Sequence, residues 1–246
     1  MTLVLHRGAE IASRLDLERV NLPEETKSYC PIGHTELTDL LIQVGSTYLT
    51  EFSLKKSQLG LSKNGQQMFG VHTYHNGSAD LGLSIGFRNS YDKSLSVGIA
   101  VGASVFVCDN LALTGDITVM RKHTRFVKDD IHQLAVTAIL KARSAYYAIR
   151  SEADLMQRIA LENDNAFRLI GLLYGKGVIT PRQIPVVRKE WLTPKHQEFK
   201  DRTYWSFYNA VTEALKTSTP RDIMERHLKL NRTMKGVLSF RQEVLN

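Results

Sequence analysis

Between Leu49 and Val119 the chain is punctuated by Asn64-Gly65, Asn76-Gly77 and Asp92-Lys93, each flanked by apolar segments of strand length. Asn-Gly pairs adopt the left-handed backbone that tight hairpins need, and connections this short cannot cross over to a parallel neighbour. The stretch therefore reads as an antiparallel meander, with strands near 51–55, 66–73, 81–88, 95–108 and 112–119. Gly98 and Gly102 interrupt the longest of these and predict a bulge, strong curvature or the close approach of another group.

The flanks have a different period. Residues 1–34 are weakly patterned and hold Pro23 and Pro31, so an N-terminal arm with at most one short helix around 9–20 is expected. In "GHTELTDLLIQVGSTY" Thr35 can cap, Leu37, Leu40, Leu41 and Val44 recur at helical spacing, and Gly45 marks the expected end. After Lys128 the chain turns helical: Asp129 and Asp130 suit a first turn, and "IHQLAVTAILKARSAYYAIRSEADLMQRIA" runs without Pro or Gly, as one long helix or two in line. "NAFRLIGLLYGKGVIT" continues to Gly175 and Gly177. Thr180-Pro181 reads as a fresh helix start, the Pro185 to Pro194 region as irregular, and "DRTYWSFYNAVTEALKT" and the stretch after Pro220 as two further helices. The fold class is α+β: a curved antiparallel meander packed by a long helix, with a helical C-terminal layer. The expected organisation is an arm over 1–34, helix plus sheet over 35–128, and a helical region over 129–246 packed on the sheet in one compact domain.

A chain of 246 residues with 43% hydrophobic and 23% charged content can bury a sizeable core and fits a globular rather than a disordered class. No apolar run approaches the roughly 18 residues of a membrane span, and a cytoplasmic location with no membrane partner is expected. Cys30 and Cys108 are the two cysteines, too few for a zinc tetrahedron or a disulfide framework. The net charge of +7 is uneven: residues 1–120 carry 9 Lys and Arg against 12 Asp and Glu, whereas 121–246 carry 23 against 13. A basic surplus of this kind attracts phosphate-bearing partners.

Two motifs could use that charge. In Arg88-Asn89-Ser90-Tyr91-Asp92-Lys93-Ser94 the short polar side chains favour a turn through bonds to nearby backbone. One reading is a rigid hairpin in which Arg88 pairs with Asp92 or Asp109; the other makes Arg88 and Lys93 phosphate contacts and Tyr91 a stacking platform. The run Met120 to Lys128 places Arg121, Lys122, Arg125 and Lys128 around Phe126, the mixture of cations and ring that single-strand grooves use. Constellations for catalysis are poor: no phosphate-cradling loop, dinucleotide fingerprint or hydrolase elbow occurs. His72 and His75 fall on opposite faces of a strand, and with His123 and His132 they make a weak metal set. Cys108 reads as packing, as do Trp205, Phe207 and Tyr208 at helical spacing, with Asn209 and Thr212 satisfying local hydrogen bonds. No catalytic residue, metal ligand or cofactor is assigned.

Arg88 to Ser94, the strand ending Val107-Cys108-Asp109-Asn110-Leu111 and the late "WSFYNAVTEALK" at 205–216 together resemble the phage- and plasmid-borne family DUF932. Lys93 and Asp109 stand where that pattern has Gly and Ser. The resemblance spans most of 30–235 and implies a mobile-element context more than an activity. A looser similarity of architecture, a meander leading into a long helix in a basic chain, is to single-strand annealing proteins of the Rad52 kind; fold alone does not carry function. The expected function is non-catalytic binding of nucleic acid, single-stranded DNA first, in recombination or replication, with a homo-oligomer as a further expectation. Two alternatives stay open: a mobile-element protein-interaction module acting against host defence or in host takeover, and a metal-dependent nuclease using His72, His75, Asp80 or Asp92.

Overall fold

The computed structural model describes residues 9–77, 81–105, 110–219 and 222–245. Its centre is an open six-stranded sheet in which every strand pairs with its sequence neighbour: β1 Ala9–Ala12, β2 Ser53–Ser62, β3 Gln67–His75, β4 Leu81–Ser90, β5 Val97–Val105 and β6 Asn110–Arg121. All five pairings are antiparallel. The expected meander is present; β2, β3, β4 and β6 run longer than the turn signals delimit, and β5 covers Val97–Val105 of the expected 95–108. The β2–β3 turn holds Lys63, Asn64 and Gly65 at φ of 52°, 54° and 84°, so the Asn-Gly pair supplies the left-handed backbone it was read for. Cys108, Asp109 and Asp80 lie outside the described residues.

One feature of the arm differs from expectation, while its one short helix falls within the expected 9–20. The segment at 9–12 is an edge strand rather than helix, and α1 (Arg14–Glu18) follows it, closed by a reciprocal box in which Asp16 N–H donates to Ser13 Oγ at 3.2 Å and Ser13 N–H to Asp16 Oδ2 at 2.8 Å. A four-residue strand has too few positions for alternation to register. The sheet irregularity also differs. Between the pairs Ala100 with Thr118 and Gly102 with Leu113, β5 advances two residues and β6 five, so the extra residues are in β6 and not in the glycine strand. Gly98 instead marks close approach: a Cβ there would meet Met120 Sδ at 3.0 Å and the Arg88 side chain at 3.2 Å.

Helices cover both faces. On the first, α2 (His34–Tyr48) and the 32-residue α3 (Val127–Arg158) share the main core with Met68, Tyr74, Leu83, Ile85, Phe87, Val97, Ile99 and Val101. The buried stripe of α3 steps by three and four through Val127, Ile131, Ala135, Ile139, Ala142 and Tyr146, the signature of one amphipathic face; its alanines let backbone approach strand closely. On the second face Phe69, Val71 and Ala100 meet Ile223, Met224 and Leu228, which belong to the last helix. The remaining helices, α4 (Asn163–Gly175), α5 (Ile184–Leu192), α6 (Tyr204–Leu215) and α7 (Ile223–Leu245), extend the main core with Leu173, Trp191, Phe207 and Leu230. Trp205, Phe207 and Tyr208 are buried as read.

The start of α5 differs from the expected pattern. Thr180 does not cap a helix beginning at Pro181. Its N–H and hydroxyl both donate to Gln183 Oε1, at 2.9 and 3.2 Å, and the helix starts at Ile184 with Pro185 in its first turn, where a missing N–H has no cost. What was expected to be irregular is thus helical. Helix α2 likewise runs through Gly45, whose missing side chain makes room for Tyr74: a Cβ there would lie 2.3 Å from the Tyr74 hydroxyl.

Candidate nucleic-acid interface

The Arg88 to Ser94 motif is built inward. Asn89 Nδ2 donates to Ile32 O at 2.7 Å and to His34 Nδ1 at 3.1 Å, while His34 Nε2 lies 2.9 Å from Gly65 O. An amide nitrogen can only donate, so Nδ1 accepts and Nε2 carries the proton; the ring is neutral. Burial accounts first for this, pushing the His34 pKa down to about 4. The Tyr91 ring stacks on His34 at 3.8 Å and 4°, its hydroxyl accepts the His34 N–H at 2.8 Å, and Tyr29 Oη donates to Tyr91 O at 3.2 Å. Ser90 Oγ donates to Leu95 O and accepts from Leu95 N–H, both at 3.0 Å. Asp92 receives Lys63 Nζ and Gln67 Nε2 at 3.1 Å and Ser94 N–H at 3.0 Å. Desolvation works upward on its carboxyl, but these partners outweigh it and hold its pKa at about 2.

The hairpin is therefore the rigid one, with a different partner for Arg88. That guanidinium is buried and pairs with Glu225 of α7 at 2.5 Å, not with Asp92. Arg88 and Tyr91, read as nucleic-acid contacts, have partners inside the fold: the first is paired with a helix across the sheet, and the second has its ring buried against His34. Both partners come from distant sequence, which local pattern does not reveal. Tyr29 and His34, which hold the arm to the hairpin, were missed for the same reason, and Asn89, read as bonding nearby backbone, bonds Ile32 and His34 instead.

Lys93 stands apart from this lock. It is exposed at φ 61°, with Nζ 4.5 Å from the Tyr29 ring centroid. The other side of Tyr29 leads to the basic run: its ring is 5.7 Å from that of His123, and Cys30 N–H donates to His123 O at 3.2 Å. The fold thus brings Lys93 to the same end as 121–128, a juxtaposition the sequence only suggests. Within the run, Arg121 pairs with Asp130 at 2.5 Å and Lys128 with Glu25 at 3.6 Å. Lys122 and Arg125 are exposed and, like Lys93, make no ion pair among the described residues. Phe126 is 58% exposed, and the Arg125 guanidinium lies 5.7 Å from its ring. Lys93, Lys122 and Arg125, without ion pairs among the described residues, and the exposed Phe126 ring thus lie toward this end of the fold.

The metal set is not assembled. His72 is fully buried, 3.3 Å from Thr38 O, and burial pushes its pKa down to about 4. Asp92 is bound beside Gln67, five positions away along β3 or about 17 Å at strand rise. Among the described residues no group of three His, Cys, Asp or Glu side chains is placed to hold a metal ion, and no helix is long and apolar enough to cross a membrane.

No curated protein and no solved structure registers as similar to this chain. The model of the family described as Domain of unknown function (DUF932) matches residues 27–235, which take in the arm's Tyr29 and His34, the hairpin, the basic run and α6, and the chain belongs to that family.

Proposed function

We propose that the protein is a non-catalytic binder of single-stranded DNA, acting in strand handling during recombination or replication. The carrying observation is Phe126, an exposed ring on a basic turn between Lys122, Arg125 and, across Tyr29, Lys93. A large apolar side chain forgoes about 1.5–3 kcal/mol by staying in water, and its position beside cations free of ion pairs suits a site where charges follow phosphates and a ring receives a base. The C-terminal charge surplus supports the same reading through long-range attraction.

The test is a salt titration of binding to fluorescent single- and double-stranded oligonucleotides. Three phosphate contacts give a slope of log K against log salt near −2 for single strands, about −0.7 per contact, with single strands bound more tightly than duplex. Absence of affinity for either at about 50 mM salt overturns the proposal and leaves the protein-interaction reading.

A further inference from the structure

We propose a second binding site, separate from the basic turn: the cleft between the starts of α5 and α7 takes a phosphate-bearing small molecule of about nucleotide size. Its volume is about 590 Å³, within the roughly 300–1,000 Å³ of small-ligand sites. The cleft has a fixed floor. Gln183 is buried, and the two N–H groups of its Nε2 are shared among Ala214 O at 3.0 Å, Thr217 Oγ1 at 3.2 Å and Ser218 Oγ at 3.1 Å, while its Oε1 accepts from Thr180. One amide therefore ties the α5 wall to the turn after α6, so the cavity exists before any ligand arrives.

The lining chooses an anion. Arg226 is anchored by donation from Nη1 to Val178 O at 3.0 Å, which leaves its other N–H groups for a ligand. Arg182 is exposed and makes no ion pair among the described residues. Against these two cations the described lining has one carboxylate, Asp222, whose Oδ2 already accepts the Thr219 hydroxyl at 3.0 Å. Paired guanidiniums supply the forked donors that phosphate oxygens accept, and nearby hydroxyls add neutral ones. Pro181 and Val186 give the same cleft an apolar wall, which suits a ring attached to the phosphate. In both walls a threonine hydroxyl bonds the side chain three residues on, Thr180 to Gln183 and Thr219 to Asp222. Pro220 and Arg221 lie outside the described residues. Among the described residues the lining contains no histidine, cysteine or lysine, and no chemical step is assigned to the site.

Isothermal titration of the full chain with inorganic phosphate, adenosine 5′-monophosphate and adenosine tests this. The expected result is saturable one-site binding of the monophosphate, weaker binding of phosphate, and adenosine weaker by about tenfold or more. Arg182→Ala removes an exposed side chain and leaves the fold intact by circular dichroism; it weakens the monophosphate by about tenfold. Arg226→Gln, which keeps a donor for Val178 O, does the same. Lys122→Ala with Arg125→Ala leaves monophosphate binding unchanged, so the cleft and the basic turn stand or fall separately. No saturation by either phosphate probe at about 10 mM, equal affinity for adenosine and its monophosphate, or wild-type affinity in both arginine variants overturns the proposal.

Discussion

Tyr91 and His34 show how far a residue's role depends on partners that sequence does not display. The short side chains of the hairpin were legible because their bonds are local: Asp92 to Ser94 spans two positions and Ser90 to Leu95 five. Tyr91 reaches His34 across 57 positions, and Arg88 reaches Glu225 across 137, so nothing in the motif distinguishes an outward ring from a buried one. Tyr91→Phe keeps the stack and removes the acceptor of a buried N–H, which should destabilise the fold by about 1–3 kcal/mol in urea denaturation while leaving oligonucleotide affinity of the folded protein unchanged. The buried histidines add a pH dependence. Both His34 and His72 fall to about 4 when folded, burial being the main cause, against about 6.5 unfolded. The unfolded chain thus binds more protons between those values, and stability is fully present above about pH 6.5 and lost as pH falls toward 4. Roughly 3 kcal/mol from each is at stake, so urea midpoints should be flat from pH 7 to 8 and drop steeply between 6.5 and 4. A midpoint unchanged at pH 4.5 would mean that these imidazoles are solvated.

At the scale of elements, legibility followed whether a signal was local. Asn64-Gly65 specified its turn because the φ angles it needs belong to those residues. The long α3 was legible because its stripe repeats over 32 residues. Helix α5 was not, since Pro185 is a breaker in most positions and a neutral first-turn residue in this one. Gly45 makes the same point with a testable sign. Glycine inside a helix ordinarily costs about 1 kcal/mol relative to alanine, so on propensity alone Gly45→Ala should stabilise α2. In the folded protein the added Cβ lies 2.3 Å from the Tyr74 hydroxyl, an aromatic group buried under the helix. Overpacking of this kind costs about 1–3 kcal/mol, which exceeds the propensity gain. Gly45→Ala should therefore lower the denaturation midpoint, and a raised midpoint would show that α2 slides freely over the sheet.

For the molecule as a whole, the layered fold converts a diffuse charge surplus into a surface with a few uncommitted members. The count of cations in 121–128 was legible, but which of them are spent on structure was not: Asp130 takes Arg121 and Glu25 takes Lys128, and only the closed arm brings Tyr29 and Lys93 alongside. This separates the cations into two sets with different expected behaviour. Lys93, Lys122 and Arg125, changed together to Ala, should flatten the single-strand salt slope by about 2, and should change stability within about 0.5 kcal/mol per site because each is exposed. Arg121→Ala should instead act on stability through Asp130 at 2.5 Å and move the slope little. Phe126→Ala separates stacking from charge: it should cost about 1–3 kcal/mol of single-strand affinity with the salt slope intact. If the triple variant binds with the wild-type slope, the basic turn is a solvated connection between β6 and α3, and any nucleic-acid affinity must be sought on another face of the sheet.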